Sequence, residues 1–105
     1  MSAKELTGDS FSNEIQSGVT LIDFWAPWCG PCKVQLPIVE ELANEMNGRA
    51  VVAKVNVDEE VDLAGQLGIT GIPTLILFKD GNIVEKLVGL RSKQELKAKI
   101  DALLA

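Results

Sequence analysis

Residues 19–57 read VTLIDFWAPWCGPCKVQLPIVEELANEMNGRAVVAKVNV and contain three elements in succession. The run 19–25 is rich in β-branched and aromatic residues and almost continuously apolar, which is typical of a strand covered on both faces. A helical pattern of apolar residues follows, closing at Gly48 and containing Pro37, which should kink the helix. The run 50–57 is a second buried strand. Strand, helix and strand in this order predict a right-handed βαβ unit with two parallel strands.

The segments on either side of this unit complete an α/β pattern. Before it, Asp9 is placed to cap a short helix that stops near Gly18. The elements predicted after it are a short helix, a strand, a returning strand and a final helix, over residues 61–67, 74–78, 83–88 and from Ser92 onward. An Asp-Gly pair in the turn at 79–82 favours a tight hairpin, so the last two strands should be antiparallel. Ser92 and Glu95 have the spacing of a capping box.

Composition and charge narrow the class of function. The 105 residues are expected to form one domain, 1–105, and 47% of them are apolar, enough for a core without a metal or disulfide staple. A net charge of -5 argues against DNA or RNA as a partner. With no histidine and only two cysteines, one chain cannot supply the four ligands of a structural zinc site. Without an apolar leader or a run of about 18 apolar residues, we expect a soluble, cytoplasmic protein.

The candidate reactive group is the pair Cys29 and Cys32, which lies where the first buried strand has ended and the long helix begins. Residues three apart on a helix have α-carbons about 5 Å apart, inside the window that a disulfide requires. Closing so small a loop adds little stability, which argues against a structural staple. The N-H groups and dipole at a helix start stabilise a thiolate, so Cys29 should be the more acidic thiol. Cys32 is then placed to attack a mixed disulfide formed at Cys29.

Two other uses of these cysteines stay open at this point. The pair could be half of a metal or cluster site that a second chain completes, or it could be two ordinary buried cysteines. A Cys-x-x-Cys motif beside a βαβ pattern in a cytosolic chain favours redox use.

The residues around the pair resemble those of the thioredoxin family. The similarity lies in WAPWCGPCK over residues 25–33, in Pro37 and in IPT over residues 72–74, and it extends over essentially the whole chain. The resemblance to bacterial members implies a thioredoxin fold, a five-stranded mixed sheet flanked by four helices, with a weak first strand near residues 3–6. It also implies a protein-disulfide reductase or dithiol carrier with no bound cofactor. Such a protein acts as a monomer on disulfide-containing client proteins and is recycled by a thioredoxin reductase.

Asp23 stands in the middle of the apolar strand. Period-two alternation puts it on one face with Leu21 and Trp25, so we expect it to be buried, with a raised pKa. The resemblance implies that Asp23 lies beneath the disulfide and shuttles a proton to or from Cys32. It also implies that Lys54, in the adjacent strand, pairs with Asp23, although a plain surface lysine is the alternative.

An apolar rim is expected around Cys29. Trp28 neighbours a tight Gly-Pro pair at a helix start, where full burial is difficult, and an exposed tryptophan suggests a contact surface. The rim, suited to docking varied protein substrates, consists of Trp28, Gly30, Pro31, Ile72 and Gly89. The resemblance implies that the Ile72-Pro73 peptide bond is cis against the disulfide, so that the Ile72 backbone can pair with an extended substrate.

Three features bear on which function this fold serves. The preference among partners stays open at two positions: Thr70, where many family members carry a basic residue, and Leu36, which adds apolar bulk. The sequence also does not indicate the electron source of the reductase. An oxidant or isomerase is the competing enzyme class, but its members commonly carry histidine between the cysteines, and Gly30 and Pro31 supply none. A third hypothesis is a binding module that uses the rim, with redox state as a switch.

Overall fold

A computed structural model describes residues 3–105 of the chain, which form an α/β fold of five strands and four helices. The strands are β1 (Lys4–Glu5), β2 (Val19–Trp25), β3 (Val51–Asn56), β4 (Thr74–Lys79) and β5 (Asn82–Val88). The helices are α1 (Gly8–Ile15), α2 (Gly30–Met46), α3 (Val61–Gln66) and α4 (Lys93–Leu104). The predicted fold class is confirmed, including the weak first strand.

The strands form one mixed sheet in the order β1-β3-β2-β4-β5. Strands β1 and β2 are both parallel to β3, β4 is antiparallel to β2, and β5 is antiparallel to β4. The β2-α2-β3 segment is therefore the predicted parallel crossover. In the hairpin between β4 and β5, Asp80 and Gly81 have φ angles of 50° and 87°, the left-handed conformation that an Asp-Gly turn accommodates.

Helices cover both faces of the sheet. Side chains of a strand alternate between its faces, so the apolar strand residues form one cluster on each face. The apolar face packs under α1 and α3 and is built from residues such as Phe11, Ile22, Phe24, Leu63 and Phe78. The reactive face packs under α2 and α4 and is built from residues such as Leu21, Val39, Leu42, Leu96 and Ile100. Asp23 shares a face with Leu21, so it points toward the layer that contains α2.

Two helix starts differ from prediction. The prediction that Asp9 caps α1 is wrong, because the extended residue Thr7 is the cap and exchanges side-chain hydrogen bonds with Ser10. At α4 the Ser92 hydroxyl accepts from the Glu95 N-H at 3.1 Å, as predicted. The Glu95 carboxylate does not close the box, since it accepts instead from the Arg91 guanidinium at 3.0 Å.

Four residues separate the end of β2 from the start of α2, so the first turn of α2 lies at the carboxyl end of the central strand. It continues through Pro37 as far as Met46, and the kink at that proline stays a prediction. None of the helices within residues 3–105 has the length and apolarity to cross a membrane.

Candidate active site

The two cysteines lie at the start of α2 and form a disulfide. Cys29 is the N-cap residue, with an extended backbone, and Cys32 lies in the first turn, so their α-carbons are 5.3 Å apart. The backbone N-H of Cys32 donates to Cys29 Sγ, with 3.2 Å between nitrogen and sulfur. The same N-H and the helix dipole are in place to stabilise a Cys29 thiolate when the bond is reduced. Because the sulfurs are bonded to each other, the pair is a disulfide and not two ordinary cysteines.

The two sulfur-bearing residues differ in access. Cys29 keeps 5% of its surface exposed, whereas Cys32 has none. The N-H of Cys29 donates to the carbonyl of Ala26 at 3.2 Å, which fixes the loop that presents the cysteine. A molecule approaching from solvent therefore meets Cys29 first.

The segment before β4 lies against Cys29. The Ile72-Pro73 peptide bond is cis, as the resemblance implied, and Ile72 O is 3.7 Å from Cys29 Sγ. Pro73 is buried, and its carbonyl accepts from the N-H of Gly89 at 2.8 Å. Two segments far apart in sequence are thus joined beside the disulfide, and both belong to the predicted rim.

Trp28 is exposed at the rim, with 68% of its surface accessible. Its indole N-H donates to Asp58 Oδ2 at 2.9 Å, which holds the ring beside the disulfide. A shallow cavity of about 190 Å³ lies beside the Trp28 ring. It is lined by Trp28, Val57, Ile69, Thr70, Gly71 and Ile72. Gly30 and Pro31 are exposed, and Gly89 is half-buried. Sequence reasoning missed Asp58, because nothing in the pattern after β3 indicates which side chain it meets.

Asp23 is completely buried, as predicted, and neither of its carboxylate oxygens has a hydrogen-bond partner within residues 3–105. It stands opposite Lys54 of β3 on one side and Leu75 of β4 on the other. Burial raises the pKa of Asp23 to about 7, with the charge of Lys54 acting to lower it and that of Glu5 to raise it. The central strand thus holds a carboxyl group that changes protonation near neutral pH.

The prediction that Lys54 forms an ion pair with Asp23 is wrong. Lys54 Nζ contacts Glu40 Oε2 on α2 at 2.9 Å instead, and it acts on Asp23 through its charge. Glu40 is half-buried and reaches Lys54 because α2 crosses over β3, a juxtaposition that the separation of 14 residues does not reveal. Glu5 is a further charged residue that acts on Asp23, and its carboxylate accepts from the Asn56 N-H at 3.1 Å. Burial raises the pKa of Glu5, while the charge of Lys54 acts to lower it.

The sequence matches the family model described as Thioredoxin over residues 2–102. This chain belongs to the thioredoxin family. Thioredoxin from Staphylococcus saprophyticus is 46% identical over 101 residues, which cover 96% of this chain and 97% of the relative. Thioredoxin from Bacillus subtilis is 47% identical over 97 residues, covering 92% and 93%. Among solved structures, a mutant thioredoxin from Halobacterium salinarum superposes with a TM-score of 0.91 at 40% identity, covering 98% of this chain and 91% of that one.

Thioredoxins are disulfide oxidoreductases, and the disulfide between Cys29 and Cys32 gives this chain the redox-active group of the family. The protein is a dithiol-disulfide carrier. Family membership implies, in general terms, disulfide-containing client proteins and a reductase that recycles the carrier. Across residues 3–105 no three His, Cys, Asp or Glu side chains are grouped so as to hold a metal ion, and Glu59, Glu60 and Asp62 form no such cluster.

Proposed function

We propose that the protein reduces disulfides in other proteins, with Cys29 as the nucleophile and Cys32 as the resolving thiol. The observation that carries this proposal is the difference in access and cap geometry between the two sulfurs. In the reduced protein the Cys29 thiolate attacks one sulfur of a client disulfide. A bond forms between Cys29 and that sulfur, the client bond breaks, and the second client sulfur leaves as a thiolate that takes up a proton.

Asp23 is proposed to serve the second step. Its carboxylate accepts the proton of the Cys32 thiol, and the Cys32 sulfur then attacks Cys29 and displaces the remaining client sulfur, which takes up a proton. Two electrons have then moved from the cysteine pair to the client. Support comes from a pKa of about 7, which leaves Asp23 partly ionised at neutral pH, and from its orientation toward the layer of α2. Lys54 is proposed to tune Asp23 by its charge.

The rim is proposed as the docking surface for clients. An extended client segment would lie along the backbone of Ile72, next to Cys29 and supported by Pro73, as an added strand. Trp28 offers an exposed apolar ring on one side. On the other sides of Cys29 the rim consists of Gly30, Pro31 and Gly89. A Cβ at either glycine would project into open space, with no atom within 4 Å, so the missing side chains leave room for a client there.

The oxidised protein needs a source of two electrons after each cycle, and we propose a thioredoxin reductase as that partner. A reducing compartment suits a dithiol carrier, so we propose a cytoplasmic location. Residues 1–105 are proposed to work as a single-domain monomer without a resident cofactor, because the cysteine pair itself carries the two electrons. Neither nucleic acid nor a membrane is among the proposed partners, given the net charge of -5.

Trapping of the mixed disulfide tests the assignment of roles. We expect reduced Cys32→Ser protein to form a covalent adduct with insulin, seen on a non-reducing gel and released by dithiothreitol. The matched variant Cys29→Ser should form none, because its remaining thiol is buried. Efficient capture by Cys29→Ser would reverse the two roles. No capture by Cys32→Ser would show that Cys29 is not the nucleophile.

A further inference from the structure

Gln35 is a buried polar side chain that the redox chemistry does not use. It lies on α2 one turn after Cys32, and none of its surface is exposed. Buried amides are retained where their donors and acceptors find partners, so the partners of Gln35 indicate what it holds in place.

The Gln35 amide pairs in both directions with the backbone of one residue, Arg91. The Arg91 N-H donates to Gln35 Oε1 at 2.8 Å, and Gln35 Nε2 donates to the Arg91 carbonyl at 3.1 Å. The two residues are 56 positions apart in the chain. Two opposed hydrogen bonds fix orientation as well as distance, in the way that paired strand residues do. Gln35 therefore sets the place of the chain at Arg91 relative to the helix that carries Cys32.

Arg91 belongs to the connection between β5 and α4, which also contains rim residue Gly89. The N-H of Gly89 donates to the Pro73 carbonyl at 2.8 Å, and Pro73 follows the residue whose oxygen lies beside Cys29. The connection between β5 and α4 is thus held by Pro73 at Gly89 and by Gln35 at Arg91. Two exposed apolar side chains flank Gly89: Val88, the last residue of β5, is 60% exposed, and Leu90 is 49% exposed.

We propose that Gln35 is a positioning residue that holds the Val88 to Arg91 segment against α2 and so sets the affinity for folded protein clients. The inference rests on the proposed docking function of the rim. Gln35 touches neither sulfur through its amide, so it acts on docking and leaves the sulfur chemistry unchanged. A small disulfide, which needs no docking surface, is therefore expected to be insensitive to it.

The test measures single-turnover oxidation of the reduced protein by tryptophan fluorescence, with insulin and with the small aromatic disulfide dithiobis-nitrobenzoate. For Gln35→Leu we expect the half-saturating insulin concentration to rise about tenfold, while the limiting rate and the small-disulfide rate stay within about twofold. The matched control is Thr20→Val, which removes the hydrogen bond from the buried Thr20 side chain to the Glu14 carbonyl at the far end of β2. It should leave both substrates unaffected. Equal slowing of both substrates by Gln35→Leu, or no change in either, would overturn the proposal.

Gln35→Met provides a second variant should the leucine protein not fold. Its flexible side chain is close to glutamine in length and makes neither hydrogen bond to the Arg91 backbone, so we expect a rise for insulin alone, as with leucine. Amide hydrogen exchange gives a readout on the unaltered protein: the Arg91 N-H should be protected, and fast exchange there would contradict the proposal. Trp28→Ala separates the two levels of inference. If it leaves insulin reduction unchanged, docking at the rim is wrong; if it weakens insulin alone and Gln35→Leu does not, only the role of Gln35 is wrong.

Discussion

The two faces of the central sheet differ in what they bury. On the apolar face, β2 contributes Ile22 and Phe24 to a cluster that is hydrophobic throughout. On the reactive face, the same strand contributes Leu21 and then Asp23, a carboxyl group without a hydrogen-bond partner in the described part of the chain. Burying such a group costs free energy that the apolar face has to offset. Alternation along a single strand thus separates the residues that stabilise the fold from those that serve the chemistry.

The largest effect on stability is expected from the apolar face. Phe24→Ala should lower the free energy of unfolding by about 3–5 kcal/mol, because Phe24 is completely buried and a cavity remains. Urea denaturation measures this loss. The reduction potential of the cysteine pair should stay the same, and a shift of more than about 30 mV, a tenfold change in equilibrium, would break the separation between the faces.

On the reactive face a substitution should stabilise the protein. Burial raises the pKa of Asp23 from 3.8 to about 7, so between these values the unfolded chain has released a proton that the folded protein still holds. Stability therefore falls as pH rises from about 4 to 7 and stays lowered above that range. At about 1.4 kcal/mol for each pH unit, Asp23→Asn should stabilise the protein by up to about 4 kcal/mol at pH 8. At pH 4 the two proteins should converge.

Urea denaturation of the oxidised proteins at several pH values measures the effect, with the exposed acid Asp9 replaced by Asn as the control. A small slope of the same sign should remain in Asp23→Asn, because burial also raises the pKa of Glu5. A constant difference between Asp23→Asn and the unaltered protein from pH 4 to 8 would contradict a titrating Asp23.

Lys54→Met tests the reactive face by removing one charge near Asp23. The ammonium group is the strongest influence that lowers the pKa of Asp23, so its removal should raise that pKa above about 7. The carboxyl carbon signal of Asp23, followed by NMR as pH is varied, measures the midpoint. Lys4→Met is the control, because Lys4 pairs with Glu14 near the surface. A midpoint that does not move would show that Glu40 fully neutralises Lys54.

The smallest effect is expected at the rim. Asp58→Ala removes the acceptor of the Trp28 indole, a solvent-exposed hydrogen bond worth about 0.5–1 kcal/mol. Unfolding should therefore change little, while insulin reduction slows by about two- to threefold as the ring loses its fixed position. Asp62→Ala, which replaces another exposed acid nearby in the sequence, should not slow it. Equal rates for both variants would show that the orientation of Trp28 does not affect insulin reduction.

Sequence reasoning identified what depends on local pattern. The β2-α2-β3 unit, the buried position of Asp23 and the placement of Cys29 at a helix start follow from apolar periodicity and turn residues. Side-chain partners across long separations did not follow: Lys54 meets Glu40 and not Asp23, and Gln35 meets the backbone of Arg91. Such pairs depend on how helices cross the sheet, which single-sequence patterns do not specify.

The start of α1 shows a different limit of local pattern. Both Thr7 and Asp9 are good capping residues, and sequence reasoning chose Asp9. The structure places the cap at Thr7 because Ser10, three residues later, returns a hydrogen bond to the Thr7 N-H at 3.0 Å. Only that reciprocal contact distinguishes two nearby candidates of similar propensity.

The pair Cys29 and Cys32 is proposed to act as a reductant. Its reduction potential, titrated with thiol buffers and followed by the fluorescence of Trp25 and Trp28, tests this most directly. Gly30 and Pro31 place no histidine or charge between the cysteines to make the disulfide strongly oxidising. We predict a potential more negative than about -260 mV, below the glutathione range measured by extraction. A value at or above about -180 mV, that of protein disulfide isomerase, would contradict a role as reductant and indicate oxidation or isomerisation of clients.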